Sequence, residues 1–321
     1  MLTRLISFAA AALLTLVTTA FAQDYPSRPI RLIVPFAPGG PIDILARAIA
    51  PPMSELLKQP VVVENRAGGG GATGVDAVAK SAPDGYTIGL TGPGALVAVP
   101  YMTKVPYDAT KDVVPIARVV RVNAVILVRT DSEFKTLGDL VAAARASPGK
   151  LSYGSAGAGT ITHLAGELLN MEARIKLVHV PYRGAAPASN DLLGGHIATM
   201  LPDLPGVMGL IESGKARVLA VTSPTRSTFL KETPTTAEAG YPGVVSDAWY
   251  GLIAPAGMPA EVLAKLNAVA AAALKSPEVE AQIVKLSAIP AFNTPAEFAA
   301  LIAEEQARWK RVIEATGAKM E

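Results

Sequence analysis

The stretch "RLIVPFAPGGPIDILARAIA", residues 31–50, decides the fold. An apolar, strand-like run ends in a Pro and Gly cluster, and a helical pattern of apolar residues follows. Gly39 and Gly40 let the backbone of this turn approach a ligand closely, and Pro41 suits a first helical turn. Asp43 falls in that same turn, where an acidic side chain stabilises the helix dipole by about 0.3 to 1 kcal/mol. It can also hold an ordered water, or fix the glycine loop by accepting its N–H groups.

The same succession continues outward from that stretch. "IRLIVPF" precedes "DILARAIAPPMSELL", "PVVVEN" precedes "ATGVDAVAKS", and "YTIGLTG" follows, which predicts an α/β domain with a largely parallel sheet. A second unit of the same kind begins around "VNAVILVRT" and carries "TLGDLVAAARASP", "KLSYGS", "HLAGELLNME", "KLVHVPY", "HIATMLPD" and "ARVLAVTS". From Pro259 onward Ala, Leu, Glu and Lys recur at helical spacing, with Pro277 and Pro295 placed for first turns. Two α/β units with a cleft between them fit this order.

The amino terminus lies outside that pattern. Arg4 precedes an uncharged run from Leu5 to Thr19, and Ala20-Phe21-Ala22 has the small-x-small form of a cleavage site, so residues 1–22 are expected to be a secretory signal peptide cut after Ala22. The remaining chain, roughly 300 residues, is of the size at which single cores divide into domains. The sequence contains no cysteine, which excludes disulfides, thiolate metal sites and a lipid-bearing cysteine at the cut. Its formal net charge is +2 with no basic run, so neither nucleic acid nor a membrane surface is an expected partner. A free periplasmic protein is expected.

In an open α/β sheet, ligands bind beyond the carboxyl ends of the strands, where helix starts present unpaired N–H groups and a partial positive charge. "PFAPGGPID" is one such turn. "YGSAGAGTITHLAGELL", residues 153–169, is a second, in which Ser155 and Thr160 add hydroxyl donors and Gly157 and Gly159 keep the approach open. One helix start from each unit would face the other across the cleft. Arg183 in "VPYRGAAPA" is a candidate partner for an anion, and Asp203 would sit at the cleft edge if the strand before it is parallel.

Three enzymatic or nucleotide motifs fail. "GGGATG", Gly69 to Gly74, has the dinucleotide-loop form but no acidic strand end about 20 residues on, and is read instead as a third turn on the cleft rim. "YGSAG" has Tyr153 where a nucleophile elbow needs Gly. His163, His179 and His196 form no metal-ligand spacing and are expected to be packing or surface residues.

Together these residues resemble the Bug family, the TctC-like solute-binding proteins of the tripartite tricarboxylate transporter system. The resemblance rests on "YPSRPIRLIVPFAPGGPID", "VVVENRAGGGGATG", "APDGYTI", "LSYGSAGAGTITHL", "HVPYRGAAPASNDLLGG", "ARVLAVTS" and "WYGLIAPAGMP" in one order. It implies a type II periplasmic binding protein of two α/β domains joined by a hinge, crossed near Asn123 and Trp249. Domain 1 would then be residues 23–122 with 250–321, and domain 2 residues 123–249. It further implies a ligand carboxylate held between Phe36, Pro38, Gly39, Gly40 and Asp43 on one side and Ser155, Ala156, Gly157, Gly159 and Thr160 on the other. The implied protein is a monomer with no cofactor and no catalysis, passing its ligand to a membrane permease. Arg183 stands where the family often shows Lys or Arg.

A carboxylate gripped by both domains favours the closed state and shifts the population towards it. Two alternatives stand beside this reading: a secreted hydrolase using Ser155, and a binding protein retained for sensing rather than uptake.

Overall fold

The structure, a computed structural model, describes residues 25–320, so the expected signal peptide and its cut lie outside the described residues. β1 (Ile30–Val34) leads through the Pro and Gly turn into α1 (Pro41–Leu57), and β2 (Val61–Asn65) leads into α2 (Ala72–Ala79). β3 (Thr87–Thr91) is followed by the short α3 (Val99–Met102) and then by β4 (Val113–Val122). The middle of the chain runs β5 (Val125–Arg129), α4 (Leu137–Ala146), β6 (Ser152–Ser155), α5 (Ile161–Ala173), β7 (Val178–Pro181), α6 (Ala185–Gly194), β8 (Thr199–Met200), α7 (Met208–Glu212) and β9 (Ala216–Val221). It ends with β10 (Ala248–Pro255), α8 (Ala260–Ala273), α9 (Pro277–Lys285), β11 (Ala288–Pro290) and α10 (Pro295–Thr316).

Local chemistry accounts for many of these limits. Thr136 and Thr294 each open a helix with a capping box, paired with Asp139 and Glu297 respectively. Pro277 and Pro295 occupy first turns as expected. α1 runs through Pro51 and Pro52, although each proline removes a helical hydrogen bond. Ile49, Met53 and Leu57, buried on its inner face against the sheet, outweigh that loss.

Two sheets result, ordered β11-β4-β10-β3-β1-β2 and β7-β6-β8-β5-β9. The expectation of a largely parallel first sheet is half right. β1 pairs in parallel with β2 and β3, whereas β10 is antiparallel to both β3 and β4, and β11 is antiparallel to β4. β4 and β10 are not links in a strand-helix alternation but the strands next to the two passages between sheets. The chain leaves the first sheet at Val122 and enters the second at Val125, and it returns ahead of Ala248.

That short passage fixes the geometry of the cleft. Ala248 at the start of β10 pairs with Val122 at the end of β4, and Gly251 pairs with Thr91 at the end of β3. The end of β4 therefore lies at the edge from which β1, β2 and β3 emit their turns. In the second sheet β6 is parallel to β7 and β8, and Val125 at the start of β5 pairs with Val221 at the end of β9. With Asn123 and Ala124 alone between β4 and β5, the carboxyl edges of the two sheets meet across the passage. α10 braces it from the side, since Trp249 Nε1 donates to Glu305 Oε2 at 2.8 Å and the Trp249 ring meets Phe298 edge-on at 4.8 Å.

Candidate functional site

The first sheet contributes three turns at its carboxyl edge. After β1, Gly39 takes φ +85°, a conformation glycine adopts without strain, and Gly40 caps α1 in extended geometry. Asp43 turns back on this loop. Its Oδ2 accepts the Gly39 N–H at 2.9 Å and Arg47 Nε at 3.0 Å, while its Oδ1 accepts Asn65 Nδ2 at 2.8 Å. Asn65 also donates to the Phe36 carbonyl, tying the end of β2 to the turn. Burial opposes ionisation of Asp43, but the bonds from Arg47, Gly39 and Asn65 outweigh it and hold the carboxyl below its usual range. Of the three roles weighed for Asp43, fixing the glycine loop is the one its hydrogen bond from the Gly39 N–H displays.

The Gly69–Gly71 turn after β2 lies beside this loop. A Cβ at Gly71 would stand 3.3 Å from Phe36 Cζ. Gly94, after β3, approaches the second sheet: a Cβ there would be 3.7 Å from the Gly70 carbonyl and 3.8 Å from that of Gly159. The glycine turns of both units thus converge.

At the start of α5 the loop is closed by its own hydroxyls. Ser155 Oγ lies 2.7 Å from His179 Nε2 and accepts the Gly157 N–H at 3.1 Å. Thr160 Oγ1 donates to the Gly157 carbonyl at 2.6 Å, and Thr162 Oγ1 accepts the Ala156 N–H at 2.9 Å. Gly159 N–H donates to His163 Nδ1 at 3.3 Å. Ser155 is 1% exposed, so its hydroxyl shapes the loop from inside. At the start of α1 the N–H groups of Gly40, Ile42 and Asp43, and at the start of α5 those of Ala158, Ile161 and Thr162, find no hydrogen-bond partner among the described residues. These are the donors each helix start offers an anion.

Sequence reasoning missed the histidines' place here. His163 and His179 stack at 3.8 Å and 9° directly beneath the α5 loop. Burial lowers His163 to about 4, and burial with the neighbouring His163 lowers His179 to about 3, so both rings are neutral at pH 7. The spacing of 16 residues carried no local signal, because β7 brings His179 alongside Tyr153 on β6. Asn65 and Arg47 were also missed.

Arg183 lies after β7 in an exposed position, with no ion pair among the described residues. Asp203 follows β8, which is parallel to β6, and bridges to Ala124 in the passage between sheets. Pro38 is exposed on the α1 turn. Two surface grooves, along Tyr101–Thr110 and Arg47–Glu55, include none of the candidate residues.

Comparison with known proteins bears on this geometry. Residues 45–318 match the model of the TctC family, described as the tripartite tricarboxylate transporter family receptor. BugT of Bordetella pertussis is 40% identical over 93% of this chain and 92% of its own. Among solved structures, the periplasmic binding protein BugD is 35% identical with a TM-score of 0.80 over 92% of this chain and 100% of that one. R. palustris Rpa4515 with adipate is 34% identical, TM-score 0.83, over 93% and 100%. MatC from Rhodopseudomonas palustris with bound malate is 31% identical, TM-score 0.79, over 90% and 100%. These proteins are solute-binding proteins and not enzymes, and the buried Ser155, with no carboxylate bonded to His179 among the described residues, gives the hydrolase alternative no support. Its two α/β domains, hinge and cleft are those of the periplasmic binding-protein fold, and the chain belongs to the TctC family of tripartite tricarboxylate transporter receptors.

Proposed function

We propose that the mature protein, cut after Ala22 and free in the periplasm, captures a small organic carboxylate between its two domains and delivers it to the permease of a tripartite tricarboxylate-type transporter. Domain 1 is residues 23–122 with 250–321, and domain 2 is residues 123–249. The observation that carries this reading is the pair of helix starts at Gly40 and Thr160, set on facing carboxyl edges, each with three unengaged N–H groups. Each start adds the partial positive charge of its helix dipole, so a carboxylate between them is stabilised without a counter-charge.

Adipate and malate, held by two relatives of this fold, agree in ligand class. A ligand bound to both starts has more contacts in the closed form, which is the form a permease would recognise. The ligand-contact set is those donors with the turns that carry them, Phe36, Pro38, Gly39, Gly40 and Asp43 on one side and Ser155, Ala156, Gly157, Gly159 and Thr160 on the other, with Arg183 and Asp203 at the cleft edge. The hydroxyls of Ser155 and Thr160 act by holding the loop open to the ligand.

A thermal-shift screen over organic acids tests this, because a ligand that binds only the folded state raises Tm by mass action. A hit confirmed by titration calorimetry and compaction in small-angle scattering supports it. The absence of any shift across dicarboxylic, aromatic and amino acids would sink it.

A further inference from the structure

The segment that follows α10 runs to the place where the glycine turns of the two sheets converge. α10 itself is seated on the first sheet: Phe298, Ile302 and Trp309 are buried in one cluster with Ile33 of β1 and Ile253 of β10, and Gln306 Nε2 donates to the Leu96 carbonyl at 3.0 Å. Ile161, Leu164 and Leu168 of α5 enter the same cluster. The helix behind the second sheet's glycine loop is thus packed on a helix of the first.

α10 stops at Gly317, whose φ of +70° ends the helix while its N–H still donates to the Ile313 carbonyl at 2.9 Å. Beyond it the chain does not turn away. Ala318 and Met320 are half-buried against the same cluster, and Lys319 between them is exposed. The Met320 side chain lies between two backbones that come from different sheets. A Cβ at Gly159, in the loop at the start of α5, would stand 2.7 Å from its Sδ and 2.8 Å from its Cγ, and one at Gly70, in the turn after β2, would stand 3.8 Å from its Cε. Gly159 and Gly70 have φ of +79° and +63°, so each turn is bare of a side chain for a backbone reason, and Met320 fills the space between them. An unbranched thioether with three rotatable bonds suits so irregular a space.

The α5 loop is otherwise held by bonds within its own unit, from Ser155, Thr160, Thr162 and His163. Those bonds fix its shape but not its distance from the first sheet. We propose that Met320 is a positioning residue: it braces the α5 loop against the turn after β2 and so sets where the N–H groups of one helix start stand relative to those of the other. The brace is made of the chain's own atoms and holds for any ligand the cleft takes.

The test needs no ligand. Hydrogen exchange is followed amide by amide in the wild type, Met320→Ala and Met320→Leu. We expect Met320→Ala to speed exchange by about tenfold or more at Gly157, Gly159, Thr160 and Gly71, whose N–H groups are bonded within the two braced turns, while the amides of α4 exchange as in the wild type. Met320→Leu, which nearly conserves the apolar volume, should keep most of that protection. A second measurement addresses the contact itself. Gly159→Ala places a methyl against the Met320 sulfur, so its loss of Tm should be smaller in the Met320→Ala background than in the wild type. Met320 is only half-buried, so its variants are expected to fold. Unchanged exchange in the two turns, acceleration spread evenly over α4 as well, a Met320→Leu protein as unprotected as Met320→Ala, or equal Tm losses for Gly159→Ala in both backgrounds would each overturn the brace.

Discussion

Ser155 Oγ and His179 Nε2 lie 2.7 Å apart, in hydrogen-bond contact beneath the start of α5. In an exposed cleft such a pair would suggest a nucleophile and its base, but this serine is buried and its hydroxyl also takes the Gly157 N–H. The pair holds a loop. We expect no burst of product with an activated ester. Ser155→Ala leaves His179 and the Gly157 N–H unsatisfied, so stability should drop by about 1 to 3 kcal/mol, with weaker ligand binding because the loop is freed. Chemical denaturation and calorimetric titration read the two effects. An ester burst abolished by the same substitution would restore the hydrolase reading.

Asp43 is the corresponding anchor in domain 1. It takes three hydrogen bonds, one of them from the Gly39 N–H at 2.9 Å. Asp43→Ala should destabilise by about 1 to 3 kcal/mol and lower affinity, and Asp43→Asn, which keeps one acceptor oxygen, should fall between. Affinity unchanged in a folded Asp43→Ala protein would show that the turn is ordered without its carboxylate.

Gly40→Val separates binding from folding. Gly40 has φ −77°, which any residue adopts, and the nearest atom to an added Cβ is the Ala37 carbonyl at 3.8 Å. The fold should tolerate the substitution, while the branched side chain stands at the mouth of α1 where the carboxylate is proposed to meet its donors. Circular dichroism should be unchanged and ligand binding lost. A well-folded variant with full affinity would put the carboxylate elsewhere.

What the sequence displayed and what it concealed divide along a physical line. The strand-turn-helix units were legible because period and turn residues are local, as at Val34 to Pro41, and first-turn prolines such as Pro295 marked helix starts. The passage at Asn123 and Ala124 was placed by resemblance, and the antiparallel β10 emerged only from tertiary pairing, since Ala248 and Val122 are distant in sequence. In the site, glycines marked both turns, but nothing local tells that Thr160 Oγ1 donates to the Gly157 carbonyl or that His163 and His179 stack. β8 is parallel to β6, the condition on which the reading of Asp203 depended, and Asp203 bridges to Ala124 in the passage between the sheets. The ion pair between Arg121 and Asp247, distant in sequence, carried no local signal either.

The pH dependence of stability should show two opposed contributions. Burial lowers His163 to about 4, and burial with His163 lowers His179 to about 3, against an ordinary value near 6.5. The unfolded chain then binds protons that the folded one refuses, so this contribution is complete above pH ~6.5 and is lost as pH falls towards 4 and 3. Burial raises Asp203 to about 7 and Glu305 to about 7, and raises Asp247 to about 6 against Arg121. Here the folded chain holds protons that the unfolded one releases, so stability present below pH ~4 is lost as pH rises through 6 to 7. Asp203→Asn removes one member of the second set. Its stability advantage over wild type should be largest at pH 8, shrink at 6.5 and be smallest at 5, in urea denaturation of the ligand-free proteins. An advantage equal at all three pH values would mean that Asp203 ionises as it does in water, and that its surroundings are wetter than the buried, unpartnered Oδ1 indicates.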